Sequence, residues 1–246
     1  MVRNPYYPEQ VTRYVLNPSV VDVLVFCTKN PQPMISRLER LSTYDMFWFV
    51  TITPYGREIE PFVPHKEKVI ESFRQLSEMT GRERMSWRYD PVFITEKYSV
   101  EYHIACFAEM AEKLRGYTGQ CVVSFLDLYE KTKRNFREAR GVTRDEQERI
   151  IEAFAGIAEA NGMQVPKKKT AREACSCLLG ADIGVYNTCG HGCLYCYANY
   201  DRKSVEENRK RHDVNSPLLI GHLRETDFVK EAQQKSFKDA QMRLFL

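Results

Sequence analysis

The sequence predicts an α/β protein, a partial or complete β/α barrel followed by a cysteine-rich C-terminal segment. Three observations lead there. Between residues 20 and 126, short apolar, β-branched or aromatic runs alternate with segments of helical period, the pattern of parallel strands joined by crossover helices. Polar residues gather just past the end of each run, where such folds place their sites. Five of the cysteines, Cys175, Cys177, Cys189, Cys193 and Cys196, crowd into one stretch near the C-terminus. The expected division is residues 1–166 as the barrel-like domain and 167–246 as the cysteine-rich segment and tail packed on it.

Four strands are expected, at residues 20–26, 46–52, 85–89 and 121–126. Val69, Ile70, Phe73 and Leu76 form a helical stripe that stops before Gly81. Ile104, Phe107, Ala108, Ala111 and Leu114 form another that stops before Gly116. A glycine at each stop permits a left-handed cap. Thr143 and Glu146 stand in capping-box spacing ahead of Ile150, Ile151, Phe154 and Ile157, a helix expected to end near Gly162.

The strand ends read Thr28-Lys29-Asn30-Pro31, Thr53-Pro54-Tyr55-Gly56, Arg88-Tyr89-Asp90-Pro91, and Asp127. Lys29, Asn30, Arg88 and Asp90 are the expected substrate or cofactor contacts, with Asp127 as an acid or base. The ordinary alternative for Arg88 and Asp90 is a structural ion pair. Asn187 and Asn199, flanking the cysteines, suit turn capping.

A formal net charge of +3 demands neither nucleic acid nor an anionic surface as partner. No apolar run approaches the roughly 18 residues of a membrane span, and the first residues carry no secretion signal, so a soluble cytoplasmic protein is expected. In that setting disulfides are disfavoured. Cys27, Cys106 and Cys121, each alone in an apolar stretch, read as buried core.

Cys189-Gly190-His191-Gly192-Cys193-Leu194-Tyr195-Cys196 is a C-x3-C-x2-C array, compact enough for three thiolates to meet at one metal centre. Glycines at 190 and 192 let the backbone fold round it. Cys175, Cys177 or His191 is a candidate fourth ligand, which would close the site as an iron–sulfur cluster or as tetrahedral zinc. An open fourth position implies chemistry; a closed one implies structure or electron transfer.

That spacing, with Tyr195 directly before the last cysteine, resembles the cluster motif of the radical S-adenosylmethionine superfamily. The resemblance implies a 4Fe-4S cluster, S-adenosylmethionine as cofactor with Tyr195 beside it, and a small reductant protein of the flavodoxin or ferredoxin type. It also favours iron–sulfur over zinc. The sequence Cys196-Tyr197-Ala198 is similar to the corresponding run of enzymes that mend photodamaged DNA, a weaker indication of a DNA substrate. Over almost the whole chain, Arg3-Asn4-Pro5, Thr28 to Pro31, Thr53 to Gly56, Trp87 to Pro91, Ser124 to Asp127 and Asp182 to Cys189 resemble the bacterial family called domain of unknown function 1848. Against that family this chain lacks a first strand, and its Gly162–Thr170 stretch is short, which implies an N-terminally shortened barrel. The cysteines follow the strands, so their loop is expected to fold back onto the rim. No glycine-glycine-acid segment of the kind that binds the cofactor amine is present.

Overall fold

The computed structural model describes residues 1–127, 130–164, 180–236 and 238. In chain order the elements are β1 (Val2–Arg3), β2 (Gln10–Arg13), β3 (Leu24–Thr28), α1 (Gln32–Ile35), β4 (Met46–Thr51), α2 (Lys66–Thr80), β5 (Met85–Val92), α3 (Val100–Leu114), β6 (Cys121–Phe125), α4 (Glu130–Asn135), α5 (Arg144–Ala160), α6 (Arg202–Lys210) and β7 (Phe228–Glu231). Strands β3, β4, β5 and β6 form a parallel sheet in sequential order. The expected crossover pattern is therefore present.

One face of this sheet carries the core. Trp48, Val50, Trp87, Tyr89 and Cys121 point toward α2, α3 and α5, whose apolar stripes contribute Phe73, Leu76, Phe107, Leu114, Ile150 and Phe154. Phe107 stacks on Trp87 at 4.6 Å and on Phe154 at 3.8 Å, so α3 is gripped between the sheet and α5. The capping box at Thr143 forms as the spacing predicts. Gly81, Gly116 and Gly162 all take positive φ just past their helices. At the third, Met163 N–H reaches Ala158 O at 2.9 Å and Gly162 N–H reaches Glu159 O at 3.0 Å, closing the last turn of α5.

Several expectations are corrected. The first sheet strand begins at Leu24 rather than Val20, because its partner β4 begins only at Met46. β5 runs on to Val92, carried past a register shift by the Val92–Phe125 pairing. Cys27 is exposed, not core: β3 is an edge strand, and alternation sends Val25 and Cys27 to the face away from the helices. Cys106 is half-buried and Cys121 is buried.

No closed barrel forms among the described residues. The segment before β3 is engaged elsewhere: β2 lies between β1, antiparallel, and β7, parallel, in a separate three-stranded sheet. Arg3 pairs with Asp227 at 2.5 Å across that sheet. On the far side of β6, a parallel bridge joins Gln120 to Gln164 beyond α5. No helix among the described residues is long and apolar enough to cross a membrane.

The packing predicts a sharp contrast. Phe107→Ala is expected to destabilise by about 3–5 kcal/mol, whereas Cys27→Ala should stay within about 0.5 kcal/mol, both read from urea denaturation.

Candidate functional site

The carboxyl ends of β3 and β4 deliver Lys29 and Thr53, and the loop after β4 turns Glu60 back over them. Gly56 O accepts both Ile59 N–H and Glu60 N–H, at 3.1 and 2.9 Å, which makes that turn. Tyr55 and Ile59 pin it into a second apolar cluster with Phe93, Tyr98, Phe136 and Tyr195. Glu60 becomes almost wholly buried, its side chain 1% exposed.

Four donors meet its carboxylate. Lys29 Nζ lies 3.0 Å from Oε1 and Thr53 Oγ1 donates to the same oxygen at 2.6 Å. The Tyr195 hydroxyl also donates to Oε1, while Lys66, from the first turn of α2, pairs with Oε2. Lys29 Nζ sits 5.6 Å from the Tyr195 ring centre. Burial alone would raise the Glu60 carboxyl. The charges of Lys29 and Lys66, with the bonds from Lys66 and Thr53, outweigh it and hold the group at about 2. Two ammonium groups against one carboxylate leave one unit of positive charge.

The cysteine loop folds back onto this spot. Asn187, at φ 57°, closes its base: its N–H donates to Ala198 O at 2.9 Å, and its Oδ1 accepts Tyr200 N–H at 2.5 Å. Asn199 Nδ2 donates to Cys189 O at 2.7 Å. Two backbone bonds then stitch the loop to the segment after β4, Phe62 N–H to His191 O at 3.2 Å and Leu194 N–H to Ile59 O at 3.0 Å. Gly192 has φ +68°, and a Cβ there would stand 3.1 Å from the Phe62 ring, so the approach needs glycine. Tyr195, Cys193 and Leu194 pack into the second apolar cluster. Burial pushes the Cys193 thiol up to about 12, against the pull of Lys29, drives the Tyr195 phenol well above its ordinary value, and lowers His191.

Lys29 and Tyr195, both expected at the site, are thus brought together with Cys193. Asn30 follows Lys29 in the chain, its N–H bonded to Thr28 Oγ1 at 2.9 Å. Arg88 and Asp90 form the ion pair that was the ordinary alternative, and Ser124 donates to the other Asp90 oxygen. Arg88 Nε and Ser86 Oγ are buried without a partner among the described residues. Asp127 is exposed at the end of β6. Cys189 is exposed, and Cys193 and Cys196 are half-buried. Among the described residues no three His, Cys, Asp or Glu side chains are gathered to hold a metal ion. Cys175 and Cys177 lie outside the described residues.

The sequence reading missed Thr53, Glu60 and Lys66 as a unit. Thr53 was visible as a strand-end residue. Glu60 and Lys66 look like any solvated charges of a loop and a helix start, and only tertiary burial distinguishes them.

A family model described as domain of unknown function (DUF1848) matches residues 1–167 and 163–198. The chain belongs to this family. The second matched stretch holds Cys189, Cys193, Cys196 and Tyr195, so the docked loop is part of the DUF1848 match. No curated protein matches the chain.

Removing the shared carboxylate should be costly. Glu60→Gln leaves two half-buried ammonium groups uncompensated and is expected to destabilise by at most about 3–5 kcal/mol at pH 7. Tyr195→Phe removes one hydrogen bond and should cost about 1–2 kcal/mol. Urea denaturation checks both.

The pH dependence follows from the depressed carboxyl. Its folded value, about 2, lies below the ordinary 4.5. The unfolded chain therefore binds the proton first, and the contribution of Glu60 is present above pH 4.5 and is lost as pH falls toward 2. Denaturation curves across that window should be flatter in Glu60→Gln than in the parent.

Proposed function

We propose that this protein is a thiolate metal protein carrying an iron–sulfur centre on Cys189, Cys193 and Cys196, and that it acts as a radical S-adenosylmethionine-type enzyme. The observation that supports this reading is the docking of the cysteine loop onto the carboxyl edge of the parallel sheet, which sets Cys193 beside Lys29 and Glu60.

The donor chemistry fits. Three soft sulfur donors within eight residues suit an iron–sulfur centre. Metal–thiolate centres are anionic, and the residual positive charge of the Lys29–Glu60–Lys66 group lies where it would favour one. The donors are present on the loop without being gathered for the ion, so the fit is one of chemistry and charge. When bound, a cluster with an open iron supplies an electron and a seat for S-adenosylmethionine.

The chain's own residues have separable tasks. Tyr195 anchors the loop through Glu60, and the buried aromatic cluster beneath it keeps water from one side of Cys193. Lys29 holds a fixed positive charge next to that sulfur. Arg88 and Asp90, on β5, offer paired charges to a substrate lying along the rim. A flavodoxin- or ferredoxin-type reductant belongs to this reading.

Anaerobic reconstitution with iron and sulfide tests it. The expected product holds about four irons and four sulfides per chain, with a reduced-state electron paramagnetic resonance signal that shifts on adding S-adenosylmethionine and is lost in Cys193→Ala. A signal indifferent to the cofactor would restrict the reading to electron transfer or structure. Zinc in place of iron would overturn the iron–sulfur reading.

A further inference from the structure

The loop does not gather three sulfurs, but its backbone does bring two together. Cys196 N–H donates to Cys193 O at 3.1 Å, which makes Cys193-Leu194-Tyr195-Cys196 a hydrogen-bonded turn. Such a turn holds its first and fourth Cα atoms within about 7 Å, overlapping the roughly 4.4–6.8 Å that a disulfide spans. Both thiols are free and half-buried.

The two residues inside the turn are fixed from outside it. Leu194 N–H is bonded to Ile59 O, and the Tyr195 hydroxyl to Glu60. Fluctuations that would separate the sulfurs are restrained by the same contacts that dock the loop. Cys189 stands apart: it is exposed, and its carbonyl is tied to Asn199 near the loop base.

We infer that Cys193 and Cys196 form a reversible disulfide, making the loop a site of thiol oxidation. The oxidant is a peroxide. One sulfur attacks the peroxide O–O bond, becoming a sulfenic acid as the first water departs. The second sulfur then attacks the first, forming the S–S bond and expelling the sulfenic oxygen as the second water. The balance is two thiols and one hydrogen peroxide giving one disulfide and two waters, with two electrons passing from the sulfurs to the peroxide. A dithiol reductant reverses the bond by exchange. The pairing stands whether or not the loop takes a metal. If it does, the bond removes two of the three sulfur donors, so oxidation and metal loading exclude each other.

The test uses the full chain, stripped of metal with a chelator and treated with one equivalent of hydrogen peroxide under native conditions. Proteolysis and mass spectrometry then map the linked peptides. The expected link is Cys193–Cys196, exceeding any other pair by about tenfold because the turn raises the effective concentration of that partner. It should persist in Cys189→Ala, and in Cys196→Ala it should not be replaced by a Cys189–Cys193 link. A dominant link through Cys189, Cys175 or Cys177 would overturn the inference, as would Cys193 and Cys196 that both remain open to alkylation. The link forming in a chain that reconstitutes no metal would leave the inference standing and remove the metal reading. A metal-loaded chain with no such link once stripped would do the reverse.

Discussion

A buried carboxylate costs several kcal/mol unless its charge is met, and Glu60 meets its own with groups from four parts of the chain. Lys29 comes from the end of β3, Thr53 from the end of β4, Lys66 from the start of α2, and Tyr195 from the cysteine loop, 135 positions away in sequence. None of these contacts can be withdrawn without leaving a desolvated polar group. The carboxylate thereby ties the ends of β3 and β4 to the start of α2 and anchors the cysteine loop beside them.

Among the described residues the frame beneath this edge is a four-stranded parallel sheet with no barrel closure. The helices cover one face with a dense aromatic core, so the strand order and the positions of their ends are set from that side. Of the N-terminal strands, β2 pairs instead with β7, and β1 with β2. The face away from the helices consequently carries exposed Val25 and Cys27 on its edge strand, and on β5 the polar pair Arg88 and Asp90. In a closed barrel these positions would line the interior, where exposed apolar groups and an ion pair would both find partners.

The cysteine loop carries both of the sulfur chemistries proposed for this chain. Its residue types suit a metal centre, and the positive charge left by two lysines against one carboxylate favours an anionic one. Its backbone, however, presents a two-sulfur turn with the third sulfur held outward. The docking contacts act on Leu194 and Tyr195, between the paired cysteines, and so stiffen the part of the loop on which either chemistry relies.

By itself the sequence determined the α/β class, four parallel strands with helices between them, the capping box at Thr143, and a cysteine loop obliged to return to the strand ends. These are legible because periodicity, glycine and cap residues act over a few neighbouring positions. Tertiary structure decided the rest. Cys27 reads as core in its apolar run, yet β3 is an edge strand and only pairing order reveals it. Strand closure depended on what the N-terminal residues pair with, a choice made across more than 200 positions. Glu60 and Lys66 carry no local mark of burial. Their role arises because desolvation and charge pairing depend on what surrounds a side chain in space, and chain order does not encode that at short range.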